Sequence, residues 1–262
     1  MKKIILLILL VLSNLSNAQK AIVPKSGTIV FVSKDSIFDE KNYESSLKEI
    51  VAELKKQVKE DFIRESIANG TPEDTLKLNL LTGYNDGMYG LLKEMSKRTS
   101  KVTHEHKGDK IIRTYESNGV RQNSLVININ ENHDPVIPKL KEGQAPNELV
   151  EATNDFLNKY TYSNNKIESI KEDKKKIRKI SGYDCFKVVY VFSDAKKSDS
   201  SFINGFKTTR ELWVTDKIKS SFHPIIDDKE IITKYYPLEV LEYSSMQKGT
   251  VTVHKIEKMD IN

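Results

Sequence analysis

The chain has 262 residues, 38% of them hydrophobic and 30% charged, and one cysteine. That hydrophobic share suffices for a core, and a single cysteine excludes an internal disulfide. Without the first 18 residues the basic count falls to 40 against 37 acids, a net charge of +3, too weakly basic for a nucleic-acid-binding surface.

Met1-Lys2-Lys3 precede an uncharged apolar run from Ile4 to Leu12, then a polar stretch with small Ser16 and Ala18. A basic start, a short apolar middle and small residues before a cut define a secretory signal. The expected cleavage lies between Ala18 and Gln19, leaving residues 19–262 as one β-rich domain. The apolar run falls short of the about 20 residues a membrane span requires. No later stretch is long enough to span, so the sequence predicts a soluble exported protein, periplasmic or secreted.

Gly27 to Ser33 is a β-branched run and predicts a strand. From Glu40 to Ala68, Tyr43, Leu47, Ile50, Val51, Leu54, Val58, Phe62, Ile63 and Ile67 recur at steps of three and four. This is one apolar stripe on a long helix. Asn69-Gly70 ends it, and Thr71-Pro72 opens a second helix carrying Leu76, Leu80, Leu81, Tyr84, Met88, Leu91, Leu92 and Met95. Gly83 and Gly87 weaken its middle. Together they predict a helical hairpin over about residues 40–98.

Strands follow at Lys101 to Lys107, Lys110 to Ser117 and Val120 to Asn128, with turns at Gly108-Asp109 and Asn118-Gly119. Residues 131–147 hold three prolines and read as a loop, and a short helix is expected from Asn147 to Lys159. Further strands are expected at Ile167 to Ile180, Tyr183 to Phe192, Lys207 to Thr215, Glu230 to Tyr235, Leu238 to Tyr243 and Thr250 to Ile256, with a polar tip at Ser193 to Ser201. The predicted fold class is α+β: a curved antiparallel sheet or incomplete β-barrel wrapping the inserted hairpin, an arrangement that buries the apolar face of each.

Ile180-Ser181-Gly182-Tyr183-Asp184-Cys185-Phe186-Lys187 is followed by Glu211-Leu212-Trp213-Val214-Thr215-Asp216-Lys217-Ile218. This I-x-G-Y-x-C-x-K strand with its W-x-T-x-x-I partner resembles the GLPGLI family of exported Gram-negative proteins, whose biochemistry is uncertain. Gly27 to Phe31 resembles that family's first strand. The namesake stretch is absent; His223-Pro224-Ile225 and Tyr236-Pro237-Leu238-Glu239-Val240 stand in that region, and the hairpin has no clear counterpart. More distantly the pattern resembles the periplasmic lipoprotein-carrier fold, an incomplete barrel closed by helices that shelters acyl chains. The resemblance implies a non-enzymatic protein that binds a lipid, acyl chain or other apolar molecule. The rivals are a cell-envelope protein-interaction module and, less favoured, an enzyme without a recognisable motif.

Candidate cavity-lining residues are Leu47, Leu54, Leu80, Met88, Leu92 and Trp213, since flexible Met and branched aliphatics admit varied apolar ligands. Each has an ordinary alternative as core, above all the lone Trp213. His104 and His106 share one face of a strand without a third ligand nearby, so they predict a solvated strand face and no metal site. Cys185 sits among Tyr183, Phe186 and Val188 and reads as a small core residue. Lys174 to Lys179 lack interleaved aromatics and read as lysines that discourage edge pairing. No nucleophile elbow, phosphate-binding loop, dinucleotide fingerprint or calcium loop occurs, so no catalytic residue, cofactor or metal is expected.

Overall fold

The computed structural model describes residues 21–68, 85–122, 124–135, 159–194 and 206–262. The signal segment with Ala18 and Gln19, the start of the second helix with Leu80, and residues 147–158 of the expected short helix lie outside the described residues.

Ten strands form one open antiparallel sheet. In chain order they are β1 (Ser26–Ile37), β2 (Thr99–Lys107), β3 (Lys110–Ser117), β4 (Val120–Arg121), β5 (Leu125–Asn128), β6 (Asn165–Ile180), β7 (Tyr183–Asp194), β8 (Lys207–Thr215), β9 (Tyr236–Ser244) and β10 (Thr250–Ile261). The helices are α1 (Glu40–Ala68), α2 (Asn85–Met95) and α3 (Lys229–Lys234). The spatial order runs β4-β3-β2-β1-β10-β9-β8-β7-β6, with β5 also on β3. The first strand therefore pairs with the last, and the helical insertion leaves from the middle of the sheet.

Alternation places Phe31, Ser33 and Asp35 of β1, Val102, His104 and His106 of β2, Val188, Tyr190 and Phe192 of β7, Arg210 and Leu212 of β8, Val240 and Glu242 of β9, and Thr252 and His254 of β10 on one face. Two stretches cover the β7–β9 part of this face. They supply Tyr160 and Tyr162 from one, and Phe222, Ile226, Ile231, Ile232 and Tyr235 from the other, all buried with Val188, Tyr190, Leu212 and Val240. These rings meet edge-on, as Tyr160 does Phe222 at 5.4 Å between centroids, an arrangement favoured by aromatic quadrupoles. The face that the sequence reading gives to the helical hairpin is thus filled largely by these stretches, and the sheet is open, not closed into a barrel.

The expected strand at Glu230 to Tyr235 is instead α3. A strand would send Ile231 and Ile232 to opposite faces, yet both are buried in the same cluster. Burial overrides the β-branched preference here. The single strand expected at Val120 to Asn128 is divided into β4 and β5, both paired to β3.

Helices α1 and α2 sit at one end of the sheet. Asp39 caps α1, its Oδ1 accepting the Asn42 amide at 3.0 Å. The chain entering α1 docks on the β9–β10 turn: the amides of Phe38 and Asp39 both donate to the Gly249 carbonyl, at 2.9 and 3.2 Å. Gly249 has φ +79°, and a Cβ there would lie 2.3 Å from the Asp39 carbonyl oxygen, so only glycine allows this approach. The α1 stripe buries Tyr43, Leu47, Ile50, Val51 and Phe62, and the Tyr43 hydroxyl meets Ser96 Oγ at 2.6 Å. Among the described residues no helix is long and apolar enough to cross a membrane.

Candidate functional site

A cavity of about 240 Å³ lies where α1 and α2 meet the end of the sheet. Leu47 and Ile50 of α1, Leu92 of α2 and Met246 of the β9–β10 turn form its apolar walls; Asp35, Ser96, Gln247, Thr250 and Thr252 complete it. The α1 stripe puts Leu47 and Ile50 there because steps of three share one helix face. Asp35 and Thr252 are directly opposite in the β1–β10 register, and Thr252 Oγ1 donates to Asp35 Oδ1 at 2.6 Å.

Of the residues predicted to line a cavity, the structure brings Leu47 and Leu92 together here. Leu54 is half-buried one turn or more beyond them on α1, and Met88 lies on α2. Trp213 is elsewhere: it stands on β8, half-buried, with the Arg178 guanidinium 4.4 Å above its ring. Its position in an odd register against Leu212 turns it away from the face that carries the cavity floor. Asp35, Thr252 and Met246 escaped sequence reasoning, since each depends on pairing over more than 200 residues or on the turn beside it.

The cavity floor continues into a row of polar side chains. Asp35 opposes Thr252, Thr252 opposes Glu242, Glu242 opposes Arg210, and Arg210 opposes Tyr190 across consecutive strands. Arg210 Nε donates to Glu242 at 2.6 Å, and its Nη1 donates to Asp228 Oδ2 and to the Tyr190 hydroxyl, both at 2.8 Å. Tyr190 itself donates to Asp228 at 2.6 Å, and Ser163 and Asn165 fill its other oxygen. Burial opposes the Arg210 charge, but Tyr190, Glu242 and Asp228 outweigh it and hold its pKa above the usual value. Such a cluster is saturated with partners, which is how a buried charge is tolerated.

Asp35 has a different environment. Burial comes first in holding its carboxyl above the usual carboxylate range; the Thr252 hydrogen bond works against this, Glu242 adds to it and Arg98 opposes it.

Ser33 Oγ lies 2.7 Å from His254 Nδ1, one step further along the same face. Burial lowers the His254 pKa to about 4, and its Nε2 has no partner among the described residues. A nucleophile–base pair needs a third group orienting the base, and Glu242 is committed to Arg210. The pair is a hydrogen bond linking β1 and β10.

The histidines of β2 correct another expectation. His104 and His106 do share a face, but it is the covered face: they are 0% and 3% exposed. Burial lowers the pKa of each, and their ring nitrogens have no partner among the described residues. His106 borders a second cavity, about 330 Å³ and opening beside exposed Lys219 and Ser221. Among the described residues no cluster of three or more metal-ligating side chains occurs. Cys185 is fully buried and burial pushes its thiol up to about 12, which makes it unreactive. Lys174 to Lys176 and Lys179 are exposed on β6, an edge strand.

No protein-family model matches the chain, and neither a curated protein nor a solved structure matches it.

Proposed function

We propose that the chain is an exported, non-enzymatic binding protein that holds a lipid, an acyl chain or another apolar molecule in the cavity between the helical pair and the sheet. The observation that carries this reading is the cavity itself, walled by Leu47, Ile50, Leu92 and Met246. Its volume of about 240 Å³ lies just under the range of roughly 300–1,000 Å³ for small-molecule sites, so it suits a single chain or small ring rather than a whole phospholipid. Met246 at the rim, 37% exposed, is a side chain that adapts to varied apolar shapes.

The sequence signature of export and the likeness to the GLPGLI-like proteins support the same reading. The two motif segments that carry that likeness lie on the directly paired strands β7 and β8, where Lys187 opposes Trp213. They are remote from the cavity and belong to the scaffold that holds it.

The test is organic-solvent extraction and mass spectrometry of the protein purified from its native envelope fraction, beside a matched control protein. A stoichiometric apolar molecule is the expected result. A protein carrying nothing, and failing to take up a medium-chain alcohol added afterwards, overturns the reading.

A further inference from the structure

We infer that the ligand of this cavity is an amphipathic molecule with a cationic amine head, which docks on Asp35 while its apolar part lies against Leu47, Ile50 and Leu92; this rests on the apolar-ligand reading above. The apolar walls alone do not discriminate among heads. The polar wall does. Asp35 is the sole ionisable side chain among the described residues lining the cavity. Thr252 Oγ1 donates its proton to Asp35, so the hydroxyl presents no free donor to an anion. The nearest acidic neighbour in the row is Glu242, whose charge bears on Asp35; a carboxylate or phosphate head would face both.

Two cations among the described residues, Arg210 and Lys93, are engaged elsewhere. Arg210 is held by Glu242, Asp228 and Tyr190. Lys93 pairs with Glu44 at 3.6 Å on the helices. Arg98 is exposed, does not line the cavity, and meets Asp35 through its backbone, whose carbonyl accepts the Asp35 amide. The lining therefore offers a partly desolvated carboxylate and, among the described residues, no cation of its own, Arg98 acting on Asp35 from outside the lining; such a site favours a hydrogen-bonding cation over an anion.

The test uses the full-length mature chain and three probes of one chain length: decan-1-amine, decan-1-ol and decanoate, each below its critical micelle concentration, titrated by calorimetry near pH 7. The expected order is amine, then alcohol, then decanoate, with at least a tenfold gap between amine and decanoate. Asp35→Asn, which keeps the shape of the side chain, should bring amine and decanoate to within threefold, and an unaltered thermal unfolding profile shows that the variant is folded. Decanoate binding as tightly as the amine to the unaltered protein would overturn the amine inference and leave the apolar cavity standing. Failure of all three probes would instead remove the apolar-ligand reading, and this inference with it.

Discussion

The two halves of the covered sheet face solve burial in opposite ways. Over β7, β8 and β9 the aromatic stretches interlock, and the buried Arg210 charge finds partners in Glu242, Asp228 and Tyr190. At the helical end of β1 and β10, the docked helices leave space, and a half-buried Asp35 has, among the described residues, Thr252 alone as a side-chain hydrogen-bond partner. A buried charge with several partners gives stability; a carboxylate with spare acceptor capacity beside apolar walls gives binding. The difference teaches where each kind of mutation should be felt.

The largest expected effect breaks the saturated side. Asp228→Ala leaves the Arg210 charge buried with an incomplete shell and should destabilise by about 3–5 kcal/mol, read as a lower midpoint in chemical denaturation. An effect under 1 kcal/mol would show that the cluster is solvated.

Next comes pH. His223 donates from Nε2 to the Pro237 carbonyl at 2.8 Å, and its Nδ1 accepts the amides of Ile225 and Ile226. It is 1% exposed, and burial lowers its pKa to about 3 against an unfolded value of 6.5. The folded-state pKa is depressed, so the unfolded chain takes up the proton first. Stability is full above pH 6.5 and falls as pH drops toward 3, by on the order of 3 kcal/mol for this residue. His254, lowered to about 4, adds in the same direction. Asp35 and Asp227, both raised chiefly by burial, oppose it as they protonate. Thermal unfolding from pH 7.5 to pH 4 should show the decline, and His223→Gln should flatten it.

Enlarging one leucine in each half sharpens the comparison. Leu212→Phe overfills a packed site and should cost about 1–3 kcal/mol; Leu92→Phe, on a half-buried side chain of the cavity wall, should cost under about 1 kcal/mol, while weakening decanol binding at least fivefold. Equal stability costs would contradict the contrast between the halves. The effect expected to spare binding lies on the other face. Arg178 stacks on Trp213 and pairs with Glu239 at 2.7 Å, partly exposed, so Arg178→Ala should cost about 1 kcal/mol without changing ligand affinity.

Local patterns were legible in the sequence because they repeat at short range. The α1 stripe, the strand alternation of β1, β2, β3, β7 and β8, and the Asn118-Gly119 turn all follow from neighbouring residues. Leu47 and Leu92 could be read as cavity candidates for the same reason. Partnerships fixed by strand order could not. Arg210 meets Glu242 across 32 residues and Asp35 meets Thr252 across 217, and nothing local marks either pair. The burial of His104 and His106 was misread because residue type argued for solvent, while register against Ile29 of β1 decided for the core. Helix α3 was misread because its two adjacent isoleucines imitate a strand, and only the buried face they share shows otherwise.

The most direct measurement is methyl NMR of the protein labelled at Leu, Ile and Met, titrated with decan-1-ol. Binding in the cavity predicts saturable shifts at Leu47, Ile50, Leu92 and Met246, with Leu212, Ile226 and Ile231 unmoved. Shifts concentrated at the aromatic half, or no saturable shift at any of the cavity methyls, would contradict it.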